Sequence, residues 1–302
     1  MKRLLLKLRA NQTHFIMTFA SLEIQEDGTS VLVHKRTIDG NAIAPVALTT
    51  LLGDEPGGRP PPEFLATPPE IVVRGRTNSS LGQVAAHAIG KFLHFCPHLE
   101  RLTFRKIIFE NSNLIPITES LLQCKKLSCL VFQDCLSRAG TSVESLNRFF
   151  QVGAPVKNFD LTITEAFDER ITEALQRNQS LEKLCWFLTC DLNDDQIGAF
   201  EELISNHQGL RSLELFFRTP VGTNVTEKIA NALAENCCIE SLVYFDYHKD
   251  EGVAIIMDAL TRRAHTYASP IRSLYLCNRI AGEKSAAAIQ ILFFILLVAC
   301  RS

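Results

Sequence analysis

Seven copies of one apolar pattern restrict this chain to a narrow set of folds. Written apolar-x-x-apolar-x-apolar, the pattern fits Leu99, Leu102 and Phe104; Leu127, Leu130 and Phe132; and Val156, Phe159 and Leu161. It returns at Leu181, Leu184 and Trp186; at Leu210, Leu213 and Leu215; at Ile239, Leu242 and Tyr244; and at Ile271, Leu274 and Leu276. Successive first positions are 28, 29, 25, 29, 29 and 32 residues apart. A spacing this regular marks an array of stacked units.

Each unit has the same internal order. The last two apolar positions alternate, as a short strand with one buried face requires. A polar turn follows, then a stretch of helical period, as in Ile197, Phe200, Leu203 and Ile204, or Val225, Ile229, Ala232 and Leu233. An apolar pair late in the helix falls 22 and 23 residues after the first strand position in four units: Leu121 and Leu122, Phe149 and Phe150, Leu203 and Ile204, Ala232 and Leu233. Thr141 with Glu144 has the form of a capping box at a helix start. Neither strand nor helix can hide its apolar side alone, so stacking of the units must supply the core.

This organisation resembles the ribonuclease-inhibitor-like class of leucine-rich repeat proteins over roughly Ile71 to Ile289. An earlier copy stands at Glu70 to Val73, followed by a helix from about Ser80 to Phe95. The resemblance implies an α/β leucine-rich-repeat horseshoe, a solenoid with a parallel concave sheet and convex helices. The family ties its turn with an asparagine or cysteine after the strand. Cys135 and Asn278 match that position, most other units lack an obvious match, and the curve is therefore expected to be irregular. Cys96 and Cys124 each precede the next Leu by three residues, with Asn178 and His207 near the same phase. The cysteines are expected to be buried thiols between helix and strand. No zinc-ligand spacing occurs, and no metal is expected.

The rest of the chain breaks the repeat. Residues 1–52 contain two expected strands, His14 to Ile24 and Thr29 to Ile38, around the turn Glu26-Asp27-Gly28. They form either a small N-terminal β cap or an independent module. Residues 53–69 hold six of the twelve prolines and read as a Pro/Gly-rich linker, and its Arg59-Pro-Pro-Pro62 run as part of that linker. Residues 70–302 form the repeat domain, ending in an apolar helix. From Ala286 to Cys300 only Gln290 is polar. Fifteen residues fall short of the roughly 17 to 25 a spanning helix needs, so membrane contact through 286–300 is less favoured than a soluble helix.

The net charge of -2 in 302 residues argues against a nucleic-acid binder. Ten cysteines with no CxxC pair, and a basic start whose apolar stretch is broken by Lys7 and Arg9, point to a reducing, cytoplasmic setting. The sequons at Asn11, Asn78, Asn178 and Asn224 are then chance matches. No phosphate loop, dinucleotide fingerprint or nucleophile elbow occurs, and the eight histidines are scattered. Asp191, Asn193, Asp195 and Glu202 have calcium-loop spacing, but Gln196 replaces the required glycine, and helix capping accounts for them better. Neither an enzyme nor a cofactor is expected.

Binding is expected on the strand positions that do not enter the core: the third, fifth and seventh of each copy. Phe187, Phe216 and Phe245 occupy the seventh position of three consecutive copies, and Tyr275 the fifth of the next. Lys183, Asp160 and Glu214 lie around them, and Arg101 and Arg105 come from an earlier copy. An aromatic centre with a charged rim suits a protein partner. The competing reading turns these rings inward at the strand end or covers them with a loop; on either reading the adjacent Phe217 and Tyr247 suggest an apolar patch on that edge. Three functions are compatible with the repeat. The leading one is a non-enzymatic scaffold binding a protein through the concave face. A second is a regulator of a small GTPase, as in the Ran GTPase-activating proteins, whose acidic tail has no counterpart here. The third is a sensor fragment of an innate-immune-type receptor.

Overall fold

The structure is a computed structural model that describes residues 19–25, 31–36, 42–47, 69–137, 144–163, 169–188, 192–217, 221–246, 250–267 and 271–278. The apolar segment 286–300, nearly all of the 53–69 linker, Thr141, Asp191 and Tyr247 lie outside these residues.

Each apolar pattern becomes a strand. In chain order the strands are β1 (Phe19–Ile24), β2 (Val31–Arg36), β3 (Ala42–Ala47), β4 (Glu70–Ser80), β5 (Arg101–Phe109) and β6 (Cys129–Ser137). Then come β7 (Asn158–Ile163), β8 (Lys183–Leu188), β9 (Ser212–Phe217), β10 (Ser241–Asp246) and β11 (Ser273–Asn278). The described helices are α1 (Gln83–His94), α2 (Asn111–Leu121), α3 (Glu144–Gln151), α4 (Glu169–Arg177), α5 (Asp194–Asn206), α6 (Thr223–Glu235) and α7 (Asp250–Thr266).

Strands β4 to β11 lie side by side in chain order, all parallel, and β1 joins the other edge of β4 in parallel. Strands β2 and β3 continue outward as an antiparallel ribbon, so the expected N-terminal hairpin is formed by β1 and β2. Leu22 and Ile24 of β1 are fully buried in the same core as the repeats. Parallel neighbours joined in sequence require crossovers of one hand, and this places every connecting helix on one side of the sheet. Each helix accordingly packs on the helices before and after it.

A second periodicity runs through the backbone. The carbonyl of Pro69 accepts hydrogen bonds from the N–H groups of both Glu100 and Arg101. The Glu100 carbonyl does the same for Ser128 and Cys129, Ser128 for Lys157 and Asn158, and Lys157 for Glu182 and Lys183. The ladder goes on through Glu182, Arg211 and Glu240, with every bond between 2.7 and 3.1 Å. This rail fixes the pitch at the strand entrance, whatever side chain stands there.

The first, fourth and sixth positions of each copy fill the core, as the pattern requires, although those of the last copy, Ile271, Leu274 and Leu276, are only partly buried. A spine of rings runs through it: Phe104 stacks on Phe132 at 5.2 Å, Phe132 meets Phe159 edge-on at 6.2 Å, and Phe159 meets Phe150 at 4.8 Å. Trp186 meets Phe200 at 5.2 Å in the next unit. Two readings from the pattern are corrected. Leu122 stands at the C-cap of α2 with helical dihedrals and is exposed, because one helical step beyond the buried Leu121 carries its side chain away from the core. Phe217 is a core residue against Tyr244 at 5.7 Å and adds nothing to an open apolar edge. The early units are irregular where Lys106 and Asp134, equivalent positions on β5 and β6, adopt φ of 55° and 51°. Both strands bend there and run on for three more residues.

Candidate protein-binding face

Strand register aligns the non-core positions into columns on the face opposite the helices. One column carries Glu70, Arg101, Cys129, Asn158, Lys183, Ser212, Ser241 and Ser273. The next carries Thr103, Val131, Asp160, Cys185, Glu214, Val243 and Tyr275. In the third, Thr162, Phe187, Phe216 and Phe245 follow one another on β7 to β10.

Phe187 and Phe216 stack with centroids 4.2 Å apart and planes 6° from parallel. Phe245 follows at 6.1 Å, tilted by 34°. All three rings are half-buried: neighbours cover their faces, and part of each remains open to solvent. Tyr275 is 59% exposed, but it stands opposite Val243, one row nearer the strand entrance than the stack. Arg101 and Arg105 are on β5, three strands from Phe187, which amounts to about 14 Å at the usual strand spacing. They form a separate basic end of the face.

The charges beside the rings are paired across strands. Lys183 Nζ contacts Glu214 Oε1 at 2.5 Å, and this hydrogen bond chiefly holds the lysine above its ordinary pKa. Asp160 sits on the other side of Cys185, and burial is the main cause raising its carboxyl pKa. Arg101 Nε pairs with Glu70 at 3.4 Å. Exposed pairs such as this one contribute at most about 1 kcal/mol, so their part is to set local charge. Thr103, Cys129, Val131, Thr162 and Cys185 are also buried on this side, small residues closed over by their neighbours. Sequence columns alone did not reveal that closure, because it depends on side-chain size across three strands.

The helix-capping reading of this segment is met at Asn193. Asn193 caps α5: its side chain accepts from Gln196 N at 2.9 Å, and Gln196 Oε1 accepts from Asn193 N at 3.0 Å. Among the described residues no group of three His, Cys, Asp or Glu is placed to hold a metal ion.

The ties between units stand before the strand, three residues ahead of the first core position. Asn178 Nδ2 donates to Ala154 O at 3.2 Å, and Asn236 Nδ2 to Ile204 O at 2.7 Å. His207 Nε2 meets Asn178 O at 3.0 Å, while its Nδ1 accepts from Gly209 N and Leu210 N. Cys124 Sγ contacts Cys96 O at 3.4 Å. Burial pushes its thiol up to about 11 and that of Cys96 to about 12, so both stay protonated. The cysteines of this phase are buried as expected, and Cys124 bonds as well as packs. Cys135, expected just after its strand, instead lies within β6, where it also touches the backbone of Lys106 and Ile107 in the unit before it. Asn178 is fully enclosed, which closes that sequon to a glycan.

No protein-family model matches this chain, and no curated protein matches it. Among solved structures, the chain is similar to the leiomodin-1 actin-binding site 2, with a TM-score of 0.41 at 13% identity. That match covers 54% of this chain and 94% of the other. It is also similar to the tropomodulin C-terminal domain of Caenorhabditis elegans, with a TM-score of 0.37 at 15% identity, covering 52% and 97%. Independently of these, a parallel sheet with one helix returned per strand fits a leucine-rich-repeat fold. No helix among the described residues is long and apolar enough to cross a membrane.

Proposed function

We propose that this chain is a non-enzymatic interaction scaffold, a leucine-rich-repeat horseshoe of ribonuclease-inhibitor-like type that binds a protein partner on its concave sheet. The curvature follows from the two spacings in each unit. A helix needs about 10 Å of width where a strand needs about 4.8 Å, so a one-to-one stack bends with its strands inside.

The observation that carries the reading is the Phe187–Phe216–Phe245 stack, partly open on the sheet face and flanked by the Lys183–Glu214 pair. Large rings held rigid by their neighbours lose little conformational freedom on binding, and such residues dominate interface energetics. Tyr275 extends the apolar area, and Arg101 with Arg105 provides a basic end about 14 Å away that favours an acidic region of the same partner.

The test compares partners captured by the wild type and by a Phe187→Ser, Phe216→Ser, Phe245→Ser triple variant whose folding is established by circular dichroism. Partners lost only from the folded variant support the reading. An identical partner set from both proteins removes the aromatic stack from the binding face.

A further inference from the structure

Cys237 and Cys238 occupy the turn between α6 and β10, with sulfurs 3.6 Å apart. Cys237 is exposed and Cys238 is 9% exposed. The turn is held from three sides. Asn236 Oδ1 accepts from the N–H of Cys238 at 2.7 Å and of Ile239 at 2.8 Å. Arg211 Nη1 donates to Cys238 O at 3.1 Å, and Arg263 Nη2 donates to Ile239 O at 2.6 Å. Arg263 is 1% exposed, and its Nε and Nη1 have no hydrogen-bond partner.

Adjacent thiols can join each other or share a third atom, and the geometry separates the two. A disulfide would have to close the sulfurs to about 2.05 Å while the trans peptide keeps the Cα atoms about 3.8 Å apart, shorter than the usual range of about 4.4 to 6.8 Å. That closure would pull on backbone groups already bonded to Asn236, Arg211 and Arg263. An atom bonded to each sulfur at about 2.3 Å instead subtends roughly 100° across the existing gap. This is the angle of a pyramidal or tetrahedral centre. A linear two-coordinate metal would want the sulfurs about 4.6 Å apart, and tetrahedral zinc would want about two further protein ligands. Among the described residues no metal-holding group of three forms here.

We propose that Cys237 and Cys238 form a vicinal-dithiol site for trivalent organoarsenicals, centres that need two sulfurs and bring their own third substituent. In the reaction with an arsine oxide two As–S bonds form and the As=O bond breaks. Both thiol protons leave with that oxygen as water, and no oxidation state changes. Burial is the main cause raising the Cys238 thiol above its ordinary pKa, and the Arg211 guanidinium acts against it, so the pair enters the reaction as thiols.

Phenylarsine oxide is the probe, added to the intact protein and followed by excess glutathione, with the adduct read by intact mass and located by peptide mapping. The expected result is one phenylarsenic group per chain on residues 237 and 238, resistant to glutathione and removed by 2,3-dimercaptopropanol. Cys237→Ser and Cys238→Ser should each lower its retention at least tenfold while circular dichroism is unchanged. A wild type that keeps no adduct against glutathione overturns the proposal, as does an adduct that survives in Cys237→Ser. Because Cys237 is exposed, that variant decides the matter even if Cys238→Ser fails to fold.

Discussion

Asn236 reaches back one unit to Ile204: its Nδ2 donates to the Ile204 carbonyl at 2.7 Å while its Oδ1 receives the N–H groups of Cys238 and Ile239. One buried carboxamide thus closes its own turn and fastens it to the previous helix. Asn236→Ala removes both functions and strands three closely bonded buried backbone groups, besides a longer contact to the His207 carbonyl at 3.4 Å. At about 1 kcal/mol for each, the expected loss is about 3 kcal/mol. Urea unfolding should show a lower midpoint with an unchanged slope.

His207 makes stability depend on pH. Its Nδ1 accepts two backbone N–H groups, so a proton there has no place, and burial is the main cause lowering its pKa below the usual 6.5. The unfolded chain therefore takes up this proton at higher pH than the folded one. Its contribution is fully present above pH 6.5 and is lost as pH falls from there through the lowered folded value. His207→Asn, which copies the residue used at 178 and 236, should fold and should flatten the urea midpoint against pH in that window. An equally steep profile in the variant would clear His207 of the effect.

Gly90 allows α1 and α2 to approach. A Cβ at this position would lie 2.5 Å from the Pro116 carbonyl oxygen, a backbone atom held within α2. Gly→Ala inside a helix normally gains about 1 kcal/mol. Here the overlap, costing about 1 to 3 kcal/mol, outweighs that gain. Gly90→Ala should lower the thermal midpoint, whereas Gly198→Ala on α5, with open space around it, should raise it.

Lys106 holds a left-handed conformation at φ 55°. That geometry costs an ordinary side chain about 1 to 2 kcal/mol, and glycine returns about half of the gain through its freer unfolded chain. Lys106→Gly is expected to stabilise by about 0.5 to 1 kcal/mol in chemical denaturation. Asp134→Gly should gain less, because aspartate tolerates this region better.

The sequence by itself determined the array. Spacing from Leu99 to Ile271 fixed which residues form strands, which positions of each strand enter the core, and that Phe187, Phe216 and Phe245 share a column. Those follow from periodicity, since strand alternation and a constant unit length leave one consistent register. What lay across strands was decided only by tertiary structure. Asn178, His207 and Asn236 share a phase in the sequence, but only the stacked units present each with a carbonyl of the unit before. The inward turn of Phe217 against Tyr244, the pairing of Lys183 with Glu214 and the meeting of Arg263 with the Cys237–Cys238 turn likewise depend on residues 24 to 31 positions apart. Linear patterns report which face a residue takes, whereas distances between units are set by how the helices pack and by the backbone rail that spaces the strands.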